Sequence, residues 1–537
     1  MNNIRRILTL ALMSAVFTTA GIAQSLKLTT DQLMDKIKGG WAGQTIGVVF
    51  GAPYEFKFTG SYVQDYQPVP WSRHYILYWW NKKPGLFDDI YNDCTFVEAF
   101  SQLGIDCTQH QLGQRFAYAD YHLAHANQAG RYNIRQGIEP PESGNWRNNP
   151  HADDLDFQIE ADFIGIMTPA MVGQAQQVAD KVGHIMNSGD GFYGGAFVAA
   201  MYSCAFYLNT PKEIITTALT TIPKESQFHQ CINDVVAFHD AHPKNWKDCW
   251  FMLQDKWNKD AGCPKGVFLS FNIDAKFNSA LVVMAMLYGN GDFTETLDIA
   301  ARAGQDSDCN PSTCGGVLGV MYGYDKIPAF WLDPLKEIED STFQNTDMSL
   351  AKSYNMSYDL ALKYIKRNGG KIGKKAIEVP ITKAQVLPME QNFPNTYPLF
   401  RERKDCFVDK DYEFSFDGNG FVVWGNLCCL RNINKDYINR VSTRHIGSEV
   451  FSMAEPDDPY VAKVEVWIDG KLDCTAEMPM KGQNRRVEPA WKYDLPEGHH
   501  TVELKWLNPN PMYTIRINDI QYYSASPQHS RFYSNLN

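Results

Sequence analysis

The strongest constraint in this chain is a change of hydrophobic period part-way along it. From residue 29 to about 366 the apolar residues recur at helical spacing, as in 94–100, 194–207 and 279–288. Beyond Tyr397 they alternate, as in Val461–Ile468 and the stretches 501–506 and 513–517. A 3.6-residue period buries one face of a helix and a two-residue period one face of a strand, so one segment cannot satisfy both. The expected fold class is therefore a mainly α domain over 24–366 followed by a C-terminal β-sandwich over 395–537. Asp417-Gly418, Asp469-Gly470 and Glu497-Gly498 punctuate the strands as turns. Between the two, 367–394 opens with Asn368-Gly369-Gly370 and continues Lys-rich and Pro-spaced, which reads as a linker or crossover.

The first 23 residues read as a signal peptide. Arg5 and Arg6 precede an apolar run over 7–17, and Gly21-Ile22-Ala23 places small residues for cleavage after Ala23. A periplasmic or secreted protein is expected. No later run approaches the about 20 apolar residues that span a bilayer, so no membrane anchor is expected. With 50 Lys+Arg against 61 Asp+Glu the net charge is −11, which makes nucleic acid a poor partner. The twelve cysteines do not make a disulfide scaffold in a chain this long. Cys428-Cys429 and Cys309…Cys314 lack the C-x2-C spacing of a zinc site, so buried free thiols are expected.

Three segments carry chemistry. Gly39, Gly43, Gly47 and Gly51 recur every four residues, making one smooth helix face. Each interior Gly costs about 1 kcal/mol against Ala, so the stripe implies a close approach, most simply by another helix. Glu55 follows the helix end. The second segment holds Asp88, Asp89, Asn92 and Asp93 at a helix start, where acids suit the macrodipole and N-caps but also hold hard cations. The third is Gly304-Gln305-Asp306-Ser307-Asp308-Cys309-Asn310-Pro311, with Asn310 as candidate N-cap and Pro311 at N1. Two carboxylates two residues apart repel unless a cation or proton neutralises them, and paired with the first acidic cluster they favour a metal.

These residues resemble the ADP-ribosylglycohydrolase family over about 33–330. The glycine spacing through Gly51-Ala52-Pro53 and Glu55-Phe56 is similar to its opening motif. Gly304-Gln305-Asp306-Ser307-Asp308-Cys309 is similar to its closing G-x-D-x-D-T, and Asn92-Asp93-Cys94-Thr95 is the match taken for its T-D-D-T. The resemblance implies an ADP-ribosylglycohydrolase-like helical fold and a binuclear Mg2+ or Mn2+ centre cleaving a bond at a ribose-like anomeric carbon. Three positions depart from the pattern. Val48 stands where the family usually has Asp, and Cys94 and Cys309 stand for an Asp and a Thr that usually bind metal.

The expected function is an exported, metal-assisted glycoside hydrolase acting on an ADP-ribose-like, nucleoside or glycan substrate through metal-activated water. The alternatives are an O-glycosidase of a polysaccharide and, given the two Cys substitutions, an inactive glycan-binding protein. The cofactor is a divalent metal, Mg2+ first, with Mn2+ or Ca2+ as alternatives. Asp88, Asp89, Asp93, Asp306 and Asp308 are the candidate metal ligands, and Glu55, Asp93 and Asp306 the candidate catalytic residues. Asn92, Glu160, Asp162, Asp190 and Asn310 are the candidate substrate-binding residues. The sandwich is a candidate carbohydrate-binding module. The aromatic run Trp71, Tyr75, Tyr78, Trp79 and Trp80 reads as core before sugar platform. His122, His125 and His184 read as structural.

Overall fold

The computed structural model describes residues 25–258, 263–430, 458–480 and 482–527, so the expected signal peptide lies outside them. Thr29 starts the first helix with a capping box. Its side chain accepts from the Gln32 N–H, and the Gln32 side chain accepts from the Thr29 N–H. The helix Thr30–Gly51 then runs through the middle of the body, and every residue from Gly39 onward is buried. Against it lies the helix Cys309–Tyr322. The two run antiparallel with backbones in contact, pairing Gly39 with Gly319, Gly43 with Gly315, Gly47 with Pro311 and Gly51 with Ser307. A Cβ at Gly39, Gly43 or Gly47 would overlap a carbonyl group of the second helix, and one at Gly51 that of Ser307 just before it. The stripe is a helix–helix seam, and at its end it delivers the 306–308 loop to the C-terminus of the first helix.

Other helices wrap this pair, among them Asp88–Leu103, Gly189–Ala205, Ala275–Gly289 and Leu350–Arg367. The aromatic run packs as core and rim, with the Trp71 and Trp331 rings 4.8 Å apart and Phe50 edge-on to Trp331.

The segment 367–394 carries structure of its own. Strands Lys371–Ile372 and Ala376–Pro380 form an antiparallel sheet with Ser25–Thr29, with Leu28 opposite Ile377. The chain then lies as a strap on the helical body. The Leu387 N–H donates to Thr221 O, the Tyr193 hydroxyl to Pro388 O, and His184 meets Glu390 across 3.0 Å.

Beyond Tyr397 two four-stranded antiparallel sheets share one core. One has the order 411–418, 498–506, 461–468, 471–479, and the other 397–408, 513–524, 420–429, 490–492. Phe414 and Phe416 of one sheet pack on Phe421 and Tyr522 of the other. The pair docks on the helices. Trp146 packs with Tyr493 and Tyr523, and Arg485 donates to Leu123 O at 2.6 Å. All twelve cysteines are free thiols, ten of them buried.

Candidate active site

The site forms where the glycine seam ends. Beyond Gly51, a 3-10 turn over Ala52–Tyr54 aims Glu55 out of the helix end. Gly304 (φ 81°) and Gln305 (φ 58°) turn the opposing chain through left-handed backbone. The Phe56 N–H donates to Gln305 O (3.0 Å) and the Gln305 N–H to Phe58 O (2.9 Å), which locks the Glu55 loop to the 306–308 loop. The following helix starts earlier than its sequence suggests. Asp308, not Asn310, is the N-cap residue, and its carboxylate makes no capping bond. Asn310 and Pro311 fall inside the first turn, and Asn310 Nδ2 donates to Asn278 Oδ1.

The third contribution is the helix Asp88–Leu103. Its N-cap is Phe87, so neither Asp88 nor Asp89 is spent on capping. Asp88 and Asn92, one turn apart, line a pocket with Glu55, Asp306, Asp308 and Cys309. Asp89 sits just behind, accepting from Cys309 Sγ at 3.3 Å. Glu55 is held by Lys83, whose Nζ donates to Oε2 at 2.6 Å.

The electrostatics follow from five carboxylates in one small space, Glu55, Asp88, Asp89, Asp306 and Asp308. Burial, then Glu55 and Asp306, push the Asp88 carboxyl up to about 7. Burial, then Asp88 and Asp306, push Asp89 well above the usual carboxylate range; burial, then Glu55 and Asp306, do the same to Asp308. Asp306 is raised too, by burial first. One buried oxygen on each of Asp89, Asp306 and Asp308, and Oδ1 of Asn92, accepts no hydrogen bond. Buried acceptors cost free energy when unmatched, and a set made only of acceptors fits a hard cation. The residues present therefore fit a divalent metal, which Asp306 and Asp308 would hold together with Asp88 and Asp89 beside them. The Cys309 thiol, pushed up by burial and these same carboxylates, is a poor ligand for such a cation.

Several expected site residues lie elsewhere. Asp93, read as ligand and catalytic group, is one helical turn, about 5.4 Å, deeper than Asp89. Its Oδ2 accepts from Gln44 Nε2 (3.0 Å) and the Phe163 N–H (3.3 Å), and the same Gln44 amide donates to Asp162 Oδ2 (2.7 Å). Asp93 and Asp162 are thus a buried pair bridged by one amide, away from the pocket lining. From this helix it is Asp88 and Asn92 that line the pocket, with Asp89 behind them, while Asp93 does not reach it. Cys94 also lies outside the pocket lining, its thiol 3.2 Å from Ser353 Oγ. Glu160 is buried under the pocket, accepting from the Asn127 amide, with burial and then Asp156 raising its carboxyl. Asp190 belongs to a separate cluster with Lys276 (3.9 Å), facing the strap.

The pocket also takes in Asp156, from the acidic 153–162 segment whose sequence reads as a further site-lining loop, and three residues that no motif singles out, Asn127, His122 and His125. These three come from a loop and helix start with no repeated spacing, so only the fold brings them here.

The ADP-ribosylglycohydrolase family model matches residues 29–362, from the first capping box into the helix Leu350–Arg367. Among solved structures, a chain described as an ADP-ribosylglycohydrolase-related protein complex is 15% identical. The alignment covers 62% of this chain and 99% of that one at a TM-score of 0.41. No curated protein matches. Three convergent acidic segments and a family model spanning more than half the sequence make the assignment: the chain belongs to the ADP-ribosylglycohydrolase family, a hydrolase family acting on glycosidic bonds.

Proposed function

We propose that the protein is an exported glycoside hydrolase whose metal-assisted site is built from Asp88, Asp89, Asp306 and Asp308. The observation that carries this reading is the convergence of Asp88, Asp306 and Asp308 on one pocket with Asp89 behind them against Cys309, where Asp89, Asp306 and Asp308 each hold an unmatched buried oxygen. A divalent cation, when bound, supplies Lewis-acid polarisation of oxygen atoms at the scissile bond. The chain's own residues do the rest. Glu55, fixed by Lys83, presents a carboxylate to the pocket. Asn92, Asn127 and His125 add amide and imidazole groups to the pocket wall, a lining suited to sugar hydroxyls.

The sandwich approaches this wall. Arg485 holds Leu123 O, beside His122, so the second domain borders the pocket loop. This supports a role in presenting a glycan as well as in covering the helical body. With Cys94 outside the site, the argument for an inactive glycan binder loses one of its two substitutions.

The test is hydrolysis of ADP-ribosyl, nucleoside and oligosaccharide substrates by the purified protein, before and after EDTA. Cleavage that is lost on chelation and restored by Mg2+ or Mn2+ supports the reading. Cleavage that is indifferent to chelation removes the metal, and the absence of any glycosidic cleavage removes the hydrolase.

A further inference from the structure

A second group of ligand atoms lies beside the pocket and shares no residue with the four carboxylates. His125, His151, Asp154 and Cys263 bring Nδ1, Nδ1, Oδ2 and Sγ within 4.8 Å of one another. The separations are 2.8 Å from His151 Nδ1 to Asp154 Oδ2, 3.4 Å from His125 Nδ1 to the same oxygen, and 3.7 and 4.0 Å from Cys263 Sγ to the His151 and His125 nitrogens. A tetrahedral ion with metal–nitrogen and metal–oxygen bonds near 2.1 Å and a metal–sulfur bond near 2.3 Å has ligand–ligand edges of about 3.3–3.6 Å. The four atoms bracket that range.

We propose that these residues form a binding site for zinc or a similar borderline divalent metal, separate from the hard-cation site. Two imidazoles and a thiolate select such a metal over Mg2+, which prefers oxygen. The surroundings match. His151, Asp154 and Cys263 are buried, and Oδ1 of Asp154 accepts no hydrogen bond. The far nitrogen of His151 meets Glu488 Oε1 at 2.8 Å, the carboxylate–histidine arrangement that fixes which nitrogen faces a metal. The Asn187 amide donates to Asp154 O at 2.7 Å and holds the loop. His125, partly exposed, lines the active pocket and leaves an entry path.

Glu488 comes from the sandwich side of the chain, so the metal would join that domain to the helical one. The proposal does not depend on the hydrolase reading, since its readout is metal binding.

The experiment is titration of the full chain, freed of metal, with Co2+ alone, followed by displacement with Zn2+. One equivalent should give a near-ultraviolet thiolate-to-cobalt charge-transfer band that Zn2+ abolishes. Cys263→Ser should lose the band. Cys263→Asp, which keeps an anionic ligand, should still bind Co2+ without it. Glu488→Gln should weaken Zn2+ binding by about 10- to 100-fold, and Asp306→Ala should leave the band intact. A wild-type protein that shows no band, or a band that survives Cys263→Ser, overturns the proposal.

Discussion

Gly43 and Gly315 meet backbone to backbone. A Cβ on either would fall inside the other's carbonyl group, and neither helix has a flexible side chain there to give way. The seam is thus rigid, and it sets the distance between Glu55 at the end of one helix and Asp306 before the other. We predict that Gly43→Ala destabilises the protein by about 1–3 kcal/mol or more through overpacking. Activity in the remaining folded protein should fall as well. Urea unfolding checks the first part and specific activity the second; unchanged stability would mean the helices can slide apart.

Asp306→Ala and Asp308→Ala should each lower activity by more than about 100-fold, since even outer-shell partners of a metal cost 10- to 100-fold. Folding should survive. Both carboxyls are held above their ordinary range by burial and acidic neighbours, so removing one relieves repulsion in the metal-free protein. The melting temperature without metal should hold or rise, while the gain in melting temperature on adding Mg2+ or Mn2+ should disappear.

The strap is tied down by a pH-dependent pair. His184 faces Glu390 through one nitrogen and Asp180, by backbone carbonyl and carboxylate, through the other. Burial lowers the His184 pKa, but Glu390 and Asp180 together outweigh it and the net shift is upward, while Glu390 is shifted down. A raised histidine contributes stability that is full below its unfolded value of about 6.5 and is lost as pH rises through the folded value. A depressed glutamate contributes above its unfolded value of about 4.3 and loses that contribution as pH falls through the folded one. The strap should therefore be held best between these values. Limited proteolysis over 382–393 should be slower at pH 5.5 than at pH 8.5, and His184→Gln should flatten the difference.

Truncation separates the strap from the sandwich. A chain ending at Asn368 loses the strand partner of Ser25–Thr29 and the whole strap, whereas one ending at Pro394 keeps both. We predict a clearly lower melting temperature for the shorter chain. Both should melt below the full protein, because Trp146 loses its packing against Tyr493 and Tyr523. Activity on a polymer should fall more than activity on a small substrate in the Pro394 chain if the sandwich presents glycan. An equal loss on both would leave it a cover.

The kinds of element and the chemical type of the site were legible in local pattern. A 3.6-residue period giving way to alternation separates helices from sheets wherever it occurs, because each period buries only one kind of face. The four-residue glycine spacing required a close helix partner, and Asp306-x-Asp308 declared its charge locally. Tertiary structure decided which residues meet. Asp89 and Asp93 stand one turn apart on one helix and read alike as acids, yet only Asp89 ends beside Asp306, because Asp93 runs on into the core against Gln44. The histidines had no spacing to show. His125, His151 and Cys263 lie on separate stretches of chain, and the packing of those stretches around Asp154 is a long-range event that no local pattern records. The strap was hidden for a similar reason: its polar, Pro-spaced sequence is that of a linker, and its order comes from Glu390, Pro388 and Leu387 finding partners on helices far away in sequence.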